Sequence, residues 1–365
     1  MPTAIGTGRL GRSSGMMPAR AGACLLALML CACGGGGAAT PARIGRTTDP
    51  GPPLWTARWQ SELDRDHPLV GRIVEPLSGR SVGPRAVIDA LAQADVVVLG
   101  EKHDNPDHHV LQARVIESLS RHGRRGPVVF EQLELADQSR VDAYLREHPG
   151  DAGGLGAALD WKDSGWPAYS MYLPVFRAAL DLGGGVRAGS MDRETTHAVS
   201  RDGLEVLQPS LVKLFRLDAE LPAATQESLR SEMRDAHCGM LPEAMLDVMI
   251  TVQRARDATL AEAVLRALHD SESGSAVLVT GNGHARADRG VPADLRAAGV
   301  GNLISLGLLE VRSELTSVAE YGAAWDAEAP PFDYVAFTPR ASDADPCEAL
   351  RGRFDSHGER GATAP

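Results

Sequence analysis

Val96-Val97-Val98-Leu99-Gly100-Glu101-Lys102-His103 is the stretch on which the fold turns. An apolar run ends directly on a carboxylate, and a histidine follows two positions later. Related patterns occur three more times. Val128-Val129-Phe130 ends on Glu131, and Val186-Arg187-Ala188-Gly189-Ser190 is followed by Asp192. Ala276-Val277-Leu278-Val279-Thr280 runs into Gly281-Asn282-Gly283-His284. Short β-branched runs bounded by Gly and Pro read as buried strands. Helical patterns separate them, so the expected fold class is α/β, a mainly parallel sheet flanked by helices. In such a sheet the C-terminal strand ends share one edge, where ligands bind. Glu101, His103, Glu131, Asp192 and His284 are therefore expected to meet in one crevice.

The chain has 365 residues, enough for one large α/β domain with insertions or two modest ones. Hydrophobic residues make up 43% and charged residues 23%, which suits a globular body. The net charge of −11 argues against a nucleic-acid partner, since no basic stripe is present to neutralise phosphates. Aromatics are only 4%, so each one is worth locating.

Residues 1–32 read as a lipoprotein signal peptide. Arg9, Arg12 and Arg20 precede an apolar stretch from Ala21 to Ala32, too short to span a bilayer. It ends in Leu30-Cys31-Ala32-Cys33, which resembles the bacterial lipobox and marks Cys33 for acylation. Residues 33–60 then form a flexible lipid-anchored linker, with Trp55 and Trp59 as docking points on the body. No acidic residue directly follows Cys33, so the expected location is the cell envelope, at the outer membrane of a diderm. Of the five cysteines, Cys238 and Cys347 remain in the body besides the anchor. One bridge between them and two free thiols are equally open.

The body is expected over residues 61–340 and a polar, frayed tail over 341–365. A small hairpin is expected around Pro76 to Gly79, and helices over 84–93, 108–122, 133–147 and 174–182. Residues 151–172 read as an irregular, aromatic-rich loop. Residues 194–270 contain helical stretches and no convincing strand, which points to a smaller helical subdomain inserted between two strands. Strands over 302–307 and 333–337 complete the sheet.

The densest polar block runs from Gly100 to His109. Glu101 and His103 suit a divalent ion through carboxylate oxygen and neutral imidazole. Asp107 is the expected cap of the following helix, and His108 shares a face of it with Gln112. Glu131 follows an apolar run and requires an ion, a His or an Arg as partner. His284 reads as metal ligand, general base or orienting group, and Arg286 as an anion binder. Asp192 is as readily a helix cap as a functional group. The aromatic stretch holding Trp161, Trp166, Tyr169 and Tyr172 suits a flat apolar ligand, or else locks the loop onto the core. His237-Cys238-Gly239 suits a soft metal or redox role, or a plain helix end.

Taken in order, these blocks resemble the ChaN family of bacterial haem-binding lipoproteins linked to iron uptake. The matching pieces are the lipobox at Cys33, Gly100-Glu101-x-His103-Asp104-Asn105 to His108-His109 and Gln112, and Ser164-Gly165-Trp166-Pro167 with Tyr172-x-Pro174. His237-Cys238, Gln253-x-x-x-Asp257 and Gly281-x-Gly283-His284-Ala285-Arg286 complete the set. The wider Tiki superfamily includes metalloproteases and erythromycin esterase-like enzymes, whose polar core resembles Glu101, His103, Glu131 and His284. The resemblance implies ferric haem held by a tyrosine, Tyr172 in preference to Tyr169, at a homodimer interface. Lys162, His108 and His237 are then candidates to pair the haem propionates, and an outer-membrane haem receptor is an expected partner. The alternative from a different class is a hydrolase, in which Glu101, His103, Glu131 and His284 hold a divalent ion or activate water directly.

Overall fold

The computed structural model describes residues 58–345, 347, 348 and 351. The expectations for the signal peptide, Cys33, Trp55 and the last residues of the tail lie outside them. In chain order the elements are β1 (Ile73–Glu75), β2 (Arg80–Val82), α1 (Pro84–Leu91), β3 (Val96–Glu101), α2 (Pro106–Arg121) and β4 (Val128–Glu134). Then come α3 (Gln138–Glu147), α4 (Ala152–Ala158), α5 (Tyr169–Leu182), β5 (Val186–Ser190), α6 (Arg193–Asp202), α7 (Pro209–Leu214), α8 (Ala223–Ala236) and α9 (Glu243–His269). The chain closes with β6 (Ala276–Gly281), α10 (Asn282–Ala285), α11 (Val291–Ala297), β7 (Leu303–Glu310) and β8 (Tyr334–Thr338).

The strands form one sheet in the order β2-β1-β8-β7-β3-β6-β4-β5. Every pair from β8 to β5 is parallel, and the β1–β2 hairpin is added antiparallel at one edge. Strands β3 and β6 are buried along their whole length, as expected of central parallel strands covered on both faces. Alternation of side chains assigns each residue to a layer. Val97 and Leu99 enter the core packed under α1, α2 and α5, whereas Val96 and Val98 enter the opposite core under α9 and α11. By the same alternation Glu101 faces the α2/α5 layer, and Glu131 faces the α9 layer.

As expected, 194–270 holds helices and no strand. Its long helix α9 is also structural for the sheet, since it buries residues such as Ala255, Ala258, Leu260 and Val264 against it. A small separate cluster of Leu229, Met233, Leu246 and Ile250 joins α8 to the first turns of α9.

Three local expectations are corrected. The stretch 151–172 is largely ordered as α4, a 3₁₀ turn at Trp161–Asp163 and the start of α5. Helix α5 starts five residues before Pro174, which lies in its first turns. Pro174 is the sixth residue of α5 and lies inside the helix, where it has no N–H to give the Ser170 carbonyl. The cap of α2 is Asn105, whose side chain accepts from the N–H of Asp107 and His108, because Pro106 occupies the first helical position. Asp107 instead accepts from the N–H of Gln60 and Ser61, fastening the chain that enters the body. Trp59 does pack against the core. The tail is not free along its length: Cys347 is bridged to Cys238, which decides the open cysteine question.

Candidate functional site

The C-terminal edge of the sheet opens into a cavity of about 810 Å³, within the usual size of a small-molecule site. Of the five residues the topology was expected to bring together, Glu101, His103, Glu131 and His284 line it and Asp192 does not. Trp166, Gln253, Arg256, Gly281 and Trp325 add to the walls, as do Met233 and His237 from the helical insertion.

Glu101 ends β3 and is completely buried. Its Oε1 accepts from the Tyr172 hydroxyl at 2.8 Å, from Gln132 Nε2 at 2.9 Å and from His103 Nδ1 at 2.8 Å. His109 Nε2 lies 3.4 Å from Oε2. Burial alone would raise this carboxyl, but the hydrogen bonds and charges of His103 and His109 bring it down to about 2. An ionised carboxylate only accepts, so His103 donates through Nδ1, and in the neutral form of the ring Nε2 carries the lone pair. Burial pushes the His103 ring down, but Glu101 and the nearby Glu131 outweigh this and hold it above the ordinary histidine range. The His103 side chain is 37% exposed, while that of Glu101 is fully covered. Trp166 stands edge-on to the ring at 4.8 Å.

Glu131 lies where β4 breaks register, between Phe130 and Glu134, a bulge that re-aims the chain beside the site. Its Oε2 accepts from Thr280 Oγ1 and from the Gly281 N–H, both at 2.7 Å. Its Oε1 meets Arg256 Nη2 at 2.9 Å and His284 Nε2 at 3.3 Å. His284 is held from its other side by Asp257, at 2.6 Å from Nδ1. Burial opposes charge on this ring, but the two carboxylates overcome it and raise His284 to about 9. Glu131 is held well below the ordinary range: burial opposes this, and the charge of His284 leads the effects that overcome it. Burial raises Asp257.

The four residues offered for a divalent ion therefore do not form a ligand set. His284 carries a proton between two carboxylates, and the oxygens of Glu131 are taken by protein donors. Among the described residues no group of three or more His, Cys, Asp and Glu is arranged to hold a metal ion.

The other predicted residues fall in different places. Tyr172 is 0% exposed, its ring tilted against that of His109 at 4.0 Å, with its hydroxyl spent on Glu101. Burial pushes that hydroxyl up, further from the anionic form a ligand needs. Tyr169 donates to the Ala152 carbonyl in the outer helical layer. His108 is buried, accepts from the Lys102 N–H and bonds Thr338; burial lowers it to about 3, so it is neutral and cannot pair a propionate. Lys162 is exposed but does not line the cavity, whereas His237 does. Trp161 packs into the core with Tyr169, Tyr172 and Phe176, so of the aromatic stretch only Trp166 reaches the crevice. Asp192 accepts from the Ala136 N–H outside the crevice. Arg286 is buried against Asp288, Glu232 and the Trp325 ring, a structural clamp rather than an anion site. The Cys238 thiol is used in the disulfide, so it is no metal ligand.

The roles of Arg256, Asp257, Gln132 and His109 escaped sequence reasoning. Asp257 left a trace: Gln253 and Asp257 are four apart, on one face of α9, and both reach His284.

A three-layer α/β domain with paired acidic and histidine groups at its strand ends is the class defined here. The chain belongs to the haem-binding uptake family, Tiki superfamily, ChaN, whose model matches residues 87–295. It is similar to ChaN of Campylobacter jejuni, solved with cofacial haem binding: 18% identity, covering 72% of this chain and 95% of that one, with a TM-score of 0.55. An erythromycin esterase in its open conformation is matched at 13% identity over 72% of this chain and 95% of that one, with a TM-score of 0.42. No curated protein matches the sequence.

Proposed function

We propose that this chain is a haem-binding uptake protein and that the crevice at the sheet edge is where haem enters. Membership of the family over residues 87–295 is the observation that carries the reading. The crevice fits such a ligand. Trp166, Met233, Met249 and Trp325 offer apolar and aromatic walls. At the rim, the Arg312 guanidinium makes no hydrogen bond among the described residues and is suited to a propionate. Bound haem would supply the iron; the chain's own groups would orient it and exclude water.

The finer parts are proposals of the same kind. The lipobox at Cys33 supports an anchor in the cell envelope. A disulfide between Cys238 and Cys347 fits an oxidising compartment outside the cytoplasm. Pairing of two copies with their haems face to face would follow the arrangement in the Campylobacter relative.

One observation favours hydrolysis as a second reading. His103 Nε2 faces the crevice with Nδ1 held by a carboxylate, beside the cations Arg256 and His284, a base next to charges that would steady an oxyanion. One experiment addresses both: haemin titration of the full chain by visible absorption, followed by turnover of a chromogenic aryl ester by the same sample. Saturable haemin binding without turnover is expected. Turnover that needs His103, with no haemin binding, would replace the carrier reading with the hydrolase.

A further inference from the structure

We propose that His103, through Nε2, is the side chain that meets the iron of haem bound in this crevice; the inference rests on haem binding there. The donor atoms around the crevice are mostly spent. The oxygens of Glu131 accept from Thr280, Gly281 and Arg256. His284 is bonded at both nitrogens by carboxylates. The Tyr172 hydroxyl is buried against Glu101.

His103 differs on three counts. Its Nδ1 donates to Glu101, which fixes the tautomer of the neutral ring, the one with its lone pair at Nε2. A carboxylate behind an imidazole is the usual support of a metal-binding histidine, since it raises the basicity of the far nitrogen. The His103 side chain also lines the crevice and is 37% exposed. Gly281 packs beside the ring: a Cβ there would lie 2.8 Å from Nε2, so a side chain at 281 would displace it. Trp166 stands edge-on to the ring at 4.8 Å. Among the described residues, Nε2 makes no hydrogen bond. His237 is the rival imidazole lining the crevice. Its Nδ1 bonds only the Met233 carbonyl, a neutral partner that supports the far nitrogen less than a carboxylate does.

The test is haemin titration of the full chain, read by visible absorption, for the wild type and for His103→Gln, His103→Gly, His237→Gln and Tyr172→Phe. The wild type and Tyr172→Phe should titrate alike. His103→Gln should bind more than about tenfold more weakly with an altered spectrum, a loss at or beyond the range for outer-shell partners. His103→Gly should recover the wild-type spectrum on addition of free imidazole, which a merely structural role would not produce. Wild-type behaviour of His103→Gln overturns the assignment but leaves haem binding standing, as does a spectrum lost in Tyr172→Phe or His237→Gln instead. No saturable haemin uptake by the wild type overturns haem binding itself.

Discussion

Glu101 ends β3 and Glu131 sits at the bulge of β4, the two strands that flank β6, and both follow apolar runs, yet they sit in opposite layers and do different work. Glu131 faces α9, where Arg256 and a protonated His284 neutralise it and Thr280 and Gly281 fill its remaining oxygen. Glu101 faces α2 and α5, where Oε1 meets a phenol, an amide and an imidazole, and Oε2 has only the His109 ring, 3.4 Å away. One carboxylate is locked by cations. The other passes its charge through His103 toward the crevice. The same signal in sequence thus yields an electrostatic anchor on one face and an adjustable relay on the other.

The largest effect that tests this contrast is on stability. Glu131→Ala would leave His284, Arg256 and the Gly281 N–H without their shared partner, and breaking a buried pair costs about 3–5 kcal/mol. The lower end is expected, because Arg256 is partly exposed and can be solvated. Glu101→Ala removes the acceptor of Tyr172, Gln132 and the partly exposed His103, at about 1–3 kcal/mol. Denaturant melts of the two variants should preserve that order. A reversal would mean that Glu101 is the anchor.

Much of this was legible in the sequence, and the reason is local. β-branched runs bounded by Gly and Pro marked β3, β4, β5 and β6, and parallel topology then placed Glu101, His103, Glu131 and His284 at one edge. What stayed hidden depends on partners brought in from far along the chain. Tyr172 looked like a ligand through the family resemblance, and a tyrosine two residues before a proline in an aromatic stretch carries no sign of its burial. Only the packing of α5 on α2 shows its hydroxyl turned to Glu101. Asp192 gave the same strand-end signal as Glu131, but its strand β5 lies at the sheet's edge, away from the crevice. Alternation along β3 and β4 does separate the layers of Glu101 and Glu131, so that part of the contrast is written in the strands themselves.

The pH dependence of stability should divide the two centres. His284 is raised from an ordinary value near 6.5 to about 9, so its contribution is complete below 6.5 and is lost as pH rises through about 9. Glu131 is depressed, so its contribution is present above the ordinary range near 4.5 and is lost as pH falls through its lowered value. Asp257, raised by burial, opposes folding once ionised and offsets part of the gain. Together they place best stability between about 4.5 and 6.5. His103 adds a smaller alkaline loss of the same sign as His284. His284→Gln should therefore flatten most of the alkaline limb in melts taken from pH 6 to 10. An unchanged limb would show that the α9 centre is not held by charge.

The smallest stability effect is expected where the two centres touch, at Gly281. Its φ of −64° and ψ of 152° suit alanine, so Gly281→Ala brings no backbone strain. Its N–H still serves Glu131. The new methyl would lie 2.8 Å from His103 Nε2 and 3.6 Å from Glu131 Oε2, so the part that must give way is the His103 ring. That ring is partly exposed and turns into open space, which keeps the cost within about 1 kcal/mol. Haemin binding through Nε2 should fall at the same time, because the methyl takes the space beside that nitrogen. A melt that drops by several kcal/mol instead would show the His103 ring to be as fixed as the partners of Glu131. The contrast between a locked and an adjustable carboxylate would then fail at the one residue that adjoins both.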